Sequence, residues 1–314
     1  MISLRYHVVS VAAVFLALAI GVVLGASGVS DRVLAAVSTK ADDLGAQVQT
    51  LAAERDELAA AQRASEEFAR RIGPAAVSGL LVGQTVALVT SGADPTDRDA
   101  LVGLLGQSGA TVTGEVALTP AVGDPARADQ LRELTARLLP NGAQLPAASD
   151  TGTLAGGLLG GVLLAPSADP TSGGQPPLTP EQADAVLTGL AAAGFVSPGD
   201  RPDPATLVLV LTGGALTGID AADAAAVTAR LAAELDRAGG GVVLAGSTGS
   251  ADATGAVGVA RADPSVIAGL STVDDVQTGH GQVSAVVALR QQLDGRAGSY
   301  GTSATAADGV TPAT

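Results

Sequence analysis

The chain has no cysteine, no tryptophan, a single methionine at Met1 and a single lysine at Lys40. No disulfide can hold its fold, no thiolate can act as nucleophile, and the thiolate and thioether donors preferred by soft ions are missing beyond residue 1. Aromatic residues make up 2% of the 314 positions, and alanine, glycine, valine, leucine and threonine dominate instead, which reads as GC-rich coding bias as much as structural choice. Histidine is nearly as scarce: after His7 there is only His280. A serine hydrolase would need His280 as its base, yet no Gly-x-Ser-x-Gly elbow occurs, and Gly246-Ser247-Thr248-Gly249 lacks the spacing. Neither Gly-x-Gly-x-x-Gly nor Gly-x-x-x-x-Gly-Lys-Ser/Thr is present. The inventory therefore points to a non-catalytic protein with no bound cofactor.

Positive charge is also short. Lysine and arginine number 17 against 31 aspartates and glutamates, a formal net charge of −14, and nearly all of the excess lies after residue 84. An acidic field repels phosphate backbones, which excludes nucleic acid as a partner, and no basic cluster draws the chain to anionic headgroups. Such a surface attracts cations weakly. The plainer use of it is to keep an alanine-rich domain soluble.

What the sequence does contain begins with an uncharged run over residues 8–28, VVSVAAVFLALAIGVVLGASG. At about 1.5 Å per helical residue it reaches the roughly 30 Å of a bilayer's hydrocarbon core, longer than the apolar part of a cleaved leader. It reads as a retained transmembrane helix. Cleavage is the alternative, with Ala26 and Gly28 the small residues a signal peptidase would accept. Arg5 and the terminal amine flank the near side, with His7 able to add charge, while Asp31 and Arg32 cancel on the far side. Residues 1–7 are thus expected to be cytoplasmic and everything after residue 28 extracytoplasmic.

Residues 29–73 read as a coiled-coil stalk. Val37, Leu44, Leu51 and Leu58 repeat every seven residues, and Ile72 resumes the register after Ser65. The companion positions Leu34, Ala41, Val48, Arg55, Gln62 and Ala69 begin apolar and turn polar, weakening the seam outward. This pattern predicts a homodimer, or pairing with another anchored chain. The alternative is a single amphipathic helix lying against its own domain. Gly73-Pro74 is expected to end the helix.

Residues 84–296 read as an α/β domain. The expected strands are Thr85–Ser91, Thr111–Thr119, Thr206–Thr212 and Gly241–Gly246, interleaved with helices from Pro95 to Gln107, Ala126 to Leu139, Pro180 to Ala193, Ala221 to Ala238 and Val283 to Leu293. Leu154–Ala165, apolar throughout but too short to span, reads as a buried core helix, and Asp169–Pro177 as a loop. Alternation of this kind predicts a Rossmann-like three-layer domain with a mostly parallel sheet. The tail, residues 297–314, is small, polar and aperiodic, and is expected to be disordered.

Two glycine turns follow strands at the edge where α/β folds bind ligands: Gly213-Gly214 and Gly246-Ser247-Thr248-Gly249. Lacking a fingerprint, they read as tight turns. The metal candidates are Asp274, Asp275 and His280 in STVDDVQTGHGQ, two carboxylates and an imidazole that could bind a divalent ion. Against that, the aspartates could shape a turn with His280 solvated in a Gly-His-Gly loop.

The opening ISLRYHVVSVAAVFLALAIGVVLG, then TVALVTSG, STVDD, ALRQQLDGRAG and Tyr300-Gly301, in that order, resemble the mycobacterial copper transport protein B family. The resemblance implies an actinobacterial envelope protein of copper efflux and resistance, with copper as the transported species and pore formation in the outer membrane. Other proteins of this type are linked to cell separation, acting with a membrane partner. The residues fit the two roles unequally. A barrel pore needs many alternating strands of about ten residues, and one helix cannot line a channel. A transporter or channel component built from several chains and a stalked scaffold presenting an acidic domain to a partner are the two resulting expectations.

Overall fold

The computed structural model describes residues 4–26, 29–139, 150–165 and 178–310. The expected loop Asp169–Pro177 lies outside them. The chain divides into two units, Met1–Ser65 and Glu66–Thr314.

The first unit is helical. Helix α1 (Leu4–Ala26) contains Arg5–Val23, 19 residues of mean hydropathy 2.3 and none of them buried, the one helix among the described residues long and apolar enough to cross a membrane. Helix α2 (Val29–Val77, 49 residues) starts here, built from alanine, leucine, glutamate and arginine, all strong helix formers. The heptad positions Val37, Leu44, Leu51 and Leu58 are 59–71% exposed.

Helix α2 does not stop at Gly73-Pro74; it runs through Pro74 to Val77. Proline removes one hydrogen bond and crowds the preceding turn, but the following turn is held by packing. Val77 is fully buried, and Gly73 lies so close to Val283 that an added Cβ would stand 3.1 Å from its methyl.

The second unit is a doubly wound sheet. Its elements run β1 (Thr85–Ser91), α3 (Pro95–Gln107), β2 (Thr111–Leu118), α4 (Ala128–Leu138), α5 (Thr151–Leu163), α6 (Pro180–Ala192), β3 (Leu207–Thr212), α7 (Ala221–Arg237), β4 (Gly241–Gly246), α8 (Ala256–Arg261), α9 (Pro264–Ile267), β5 (Ser271–Val273), α10 (Gly279–Gln292) and β6 (Ser299–Tyr300). The strands are all parallel, in the order β2-β1-β3-β4-β5-β6. Successive residues of each strand face opposite sides, so each side acquires its own core. Val89, Val208, Val210, Val242 and Leu244 pack with Leu158, Leu159 and Leu231 on the face of α4–α8. Leu88, Leu209, Leu211, Val243 and Val273 pack with Leu101, Leu105 and Leu289 on the face of α3 and α10.

Three helix starts differ from expectation. Helix α5 begins at Thr151, three residues before the expected Leu154, because Asp150 accepts from Thr153 N and caps it. Helix α10 begins at Gly279, because Thr278 accepts from Gly281 N and caps it. Helix α4 begins at Ala128 after the 3-10 turn Pro125–Arg127. The tail also departs from the expected disorder up to residue 310. Ser299–Tyr300 pairs with β5 as β6, Asp308 accepts from Ser299 N at 2.7 Å, and Tyr300 donates its hydroxyl proton to Gln291 at 2.6 Å. Composition misses this segment because its order comes from partners distant in sequence.

Candidate functional site

In a parallel sheet of this order the connections leave β1 and β3 in opposite directions, and the crevice so formed at the carboxyl ends of the strands is where such folds bind ligands. Here backbone segments approach one another closely at that end. Gly213 N donates to Ser91 O (3.2 Å) and Ser247 N to Thr212 O (3.3 Å). A Cβ on Gly213 would stand 2.5 Å from Gly92 O, and one on Gly214 2.3 Å from Thr248 O. Both glycine turns are thus sites of close chain-to-chain approach. Next to them Ser247 donates to Asp97 (3.1 Å), whose carboxyl is raised by burial despite that bond.

Asp274 and Asp275 follow β5 at the same end of the sheet. Asp274 pairs with Arg261 at 2.6 Å, the side chains 4% and 3% exposed. Its Oδ1 also accepts from Thr302 N (2.7 Å) and Ser303 N (3.3 Å). Gly301, at φ 138, leaves room for that carboxylate, since an added Cβ would stand 2.0 Å from Oδ1. Burial alone would raise Asp274, but Arg261, Asp275 and the Thr302 amide together hold it below the usual carboxylate range. Asp275 moves the other way, pushed up by burial and then by the Asp274 carboxylate beside it. Asp275 also sits at φ 63, the one non-glycine residue with positive φ among those described.

His280 lies on the first turn of α10, apart from that pair. Its Nδ1 is 3.5 Å from Glu66 Oε1, and its Nε2 is 3.2 Å from Thr278 Oγ1. The other Glu66 oxygen accepts from Gly279 N at 2.7 Å. The three metal candidates are therefore divided: Asp274 belongs to Arg261, Asp275 to the turn, and His280 to Glu66. Among the described residues no group of three or more His, Cys, Asp or Glu is placed to hold a metal ion. The residues that sequence reasoning missed are Arg261 and Glu66. Neither carries a local signal, although Tyr300-Gly301, part of the resemblance above, marks the segment that Arg261 and Asp274 secure.

These features define a class: an α/β domain of doubly wound order joined to a long helix and an apolar N-terminal helix suited to membrane association. The chain matches the family described as "Copper transport outer membrane protein, MctB" over residues 1–312. It is 40% identical over 308 residues, 96% of both chains, to "Copper transporter MctB" of Mycobacterium tuberculosis (strain ATCC 25618 / H37Rv). Its identity to "Copper transporter MctB" of Mycobacterium leprae (strain TN) is 37% over 310 residues, again 96% of both. The chain belongs to the MctB family.

Proposed function

We propose that this chain serves copper homeostasis of the cell envelope as one component of a multi-chain copper exporter. Its family membership supplies the ion. The observation that limits the mechanism is that the described residues hold a single membrane-length helix and a sheet whose strands are short, parallel and covered by helices on both faces. One helix encloses no pathway, and a barrel requires longer alternating strands, so a route for copper is assembled from several chains or with a partner. The N-terminus is cytoplasmic and the α/β domain extracytoplasmic in this reading. With no sulfur donor in the domain, copper as cargo meets oxygen ligands and the His280 imidazole. Deleting the gene should raise cell-associated copper and copper sensitivity, and the full chain should restore both. Unchanged copper content and sensitivity overturn the reading.

The exposed heptad positions favour a second reading, a stalked non-catalytic scaffold that pairs through α2 with a membrane partner in envelope or cell-separation processes. That reading expects another membrane protein to co-purify with the chain and to be lost when Leu44, Leu51 and Leu58 are replaced by charged residues. Copper content would then be indifferent to the deletion.

A further inference from the structure

Where two polar side chains meet, one normally supplies a proton and the other a lone pair. Glu66, the first residue of the second unit, and His280, on the first turn of α10, do not fit that pattern. His280 Nδ1 stands 3.5 Å from Glu66 Oε1, beyond the reach of an N–H···O bond. Thr278 shows why no proton joins them. Its one hydroxyl proton goes to Asp275 O at 2.6 Å, while its oxygen accepts from Gly281 N at 3.1 Å. Toward His280 the hydroxyl can only accept, so Nε2, 3.2 Å away, carries the proton of the neutral ring and Nδ1 keeps its lone pair. An ionised carboxylate likewise only accepts.

Both lone-pair donors are held from behind. Thr278, itself fixed, orients the imidazole through Nε2, and Gly279 N donates to Glu66 Oε2 at 2.7 Å, leaving Oε1 toward the ring. Gly279 is pressed against α2 so closely that a Cβ there would stand 2.9 Å from the Ala69 Cβ, which fixes Glu66 relative to α10. Supporting bonds of this kind are how proteins orient an imidazole and a carboxylate for a metal ion. Bonds of about 2.0–2.1 Å from nitrogen and oxygen to one ion place the two donors roughly 2.9–3.4 Å apart, for angles from right to tetrahedral. The separation of Nδ1 and Oε1 is close to that range.

We propose that Glu66 Oε1 and His280 Nδ1 are the two protein ligands of a copper(II) site, with water at the remaining positions, where the exported ion rests in transit. The inference rests on the copper reading above and names the oxygen that meets the ion beside His280. Nitrogen and oxygen donors suit copper(II), whereas copper(I) prefers the sulfur that the domain lacks. The side chains are 28% and 21% exposed, open to a hydrated ion. Among the described residues no group of three or more His, Cys, Asp or Glu forms, and a site of two protein ligands holds cargo loosely enough to release it. The neighbouring charges leave the pair intact: Arg70 bonds the main-chain oxygen of Glu66, and Glu67 pairs with Arg71.

The test is copper(II) binding to the full chain in detergent micelles, with His7→Asn in place so that His280 is its only imidazole. Affinity is read by competition with glycine. Ligation is read by electron spin echo modulation, in which a bound imidazole shows its remote nitrogen. One copper(II) per chain with imidazole modulation is expected. His280→Asn should abolish the modulation, Glu66→Gln should weaken binding about tenfold or more, and Glu67→Gln should change neither. Should Glu66→Gln loosen the first turn of α10, His280→Asn decides, because it leaves the Gly279 bond in place. An absence of imidazole modulation in the His7→Asn chain, or an affinity unchanged by Glu66→Gln, overturns the site. Both outcomes are independent of the export reading, which falls instead if the deletion strain keeps its copper content.

Discussion

Arg261, at the end of α8, and Asp274, after β5, form a 2.6 Å ion pair from which water is almost wholly excluded. The pair also secures the segment beyond β6, since Arg261 Nη2 donates to Tyr300 O (2.7 Å) and Asp274 accepts the amides of Thr302 and Ser303. Removing one partner of a buried pair leaves an uncompensated charge and costs about 3–5 kcal/mol. Arg261→Met should therefore lower the unfolding free energy by that order, read in urea through Tyr300 emission, and should open residues 299–310 to proteolysis. A loss below about 1 kcal/mol would show the pair to be dispensable. Arg261→Met combined with Asp274→Leu should recover only part of the loss, because the Thr302 and Ser303 amides lose their acceptor.

Asp236 gives the domain a pH dependence of definite sign. Burial raises its carboxyl to about 6 from the ordinary 3.8, against the smaller opposing effect of the Val242 amide. Between those two values the folded chain holds a proton that the unfolded chain does not. Stability from this group thus falls as pH rises through the window, by at most about 3 kcal/mol once pH 7 is reached. Asp236→Asn keeps an acceptor for Val242 and cannot ionise. Urea unfolding at pH 7.5 should show the variant more stable by about 1–3 kcal/mol, with the advantage gone below pH 4. An equal advantage at both pH values would contradict the assignment.

Much of the fold was legible because its strands are short β-branched runs bounded by glycine. Thr85–Ser91 and Gly241–Gly246 coincide with β1 and β4 to the residue. Where local signals and packing disagree, packing wins. Pro74 stays helical because Val77 is buried beyond it, and Gly279-His280-Gly281 is helical because Thr278 caps it, despite a composition that suggests a loop. The candidate site was legible only in part. Asp274, Asp275 and His280 are close in sequence, but their partners are not: Arg261 comes from another helix, and Glu66 lies 213 residues before Gly279.

The glycines of α5 separate into two kinds by what surrounds them. A Cβ at Gly152 would stand 2.4 Å from Val227 O, and one at Gly156 2.8 Å from Leu231 O, both on the backbone of α7, whereas at Gly160 the nearest atom is 3.4 Å away. Gly152→Ala and Gly156→Ala should each destabilise by about 1–3 kcal/mol through overpacking. Gly160→Ala should be neutral or stabilising by up to about 1 kcal/mol, because alanine suits a helix better than glycine. The urea midpoints of the three variants, compared at one pH, test the ordering; a Gly160 variant as damaged as the other two would break it.

The heptad seam yields the last expectation. Val37, Leu44, Leu51 and Leu58 keep one spacing along α2 yet remain 59–71% exposed in a single chain. Burying a leucine fully is worth about 1.5–3 kcal/mol, so three leucines meeting their counterparts in a second copy supply enough to hold two helices together once membrane tethering has raised their local concentration. Arg55 and Gln62 interrupt the companion row, which weakens the seam toward its outer end while Leu58 still lies on it. The full chain in nanodiscs should therefore scatter light as a dimer, and Leu44→Glu with Leu51→Glu and Leu58→Glu should reduce it to one copy. Tyr300-monitored unfolding should stay unchanged, because these side chains touch none of the core around the sheet. A triple variant that keeps the dimer mass would place the contact elsewhere on the chain, and a parent chain that is already monomeric would remove the seam from consideration as a homodimer interface.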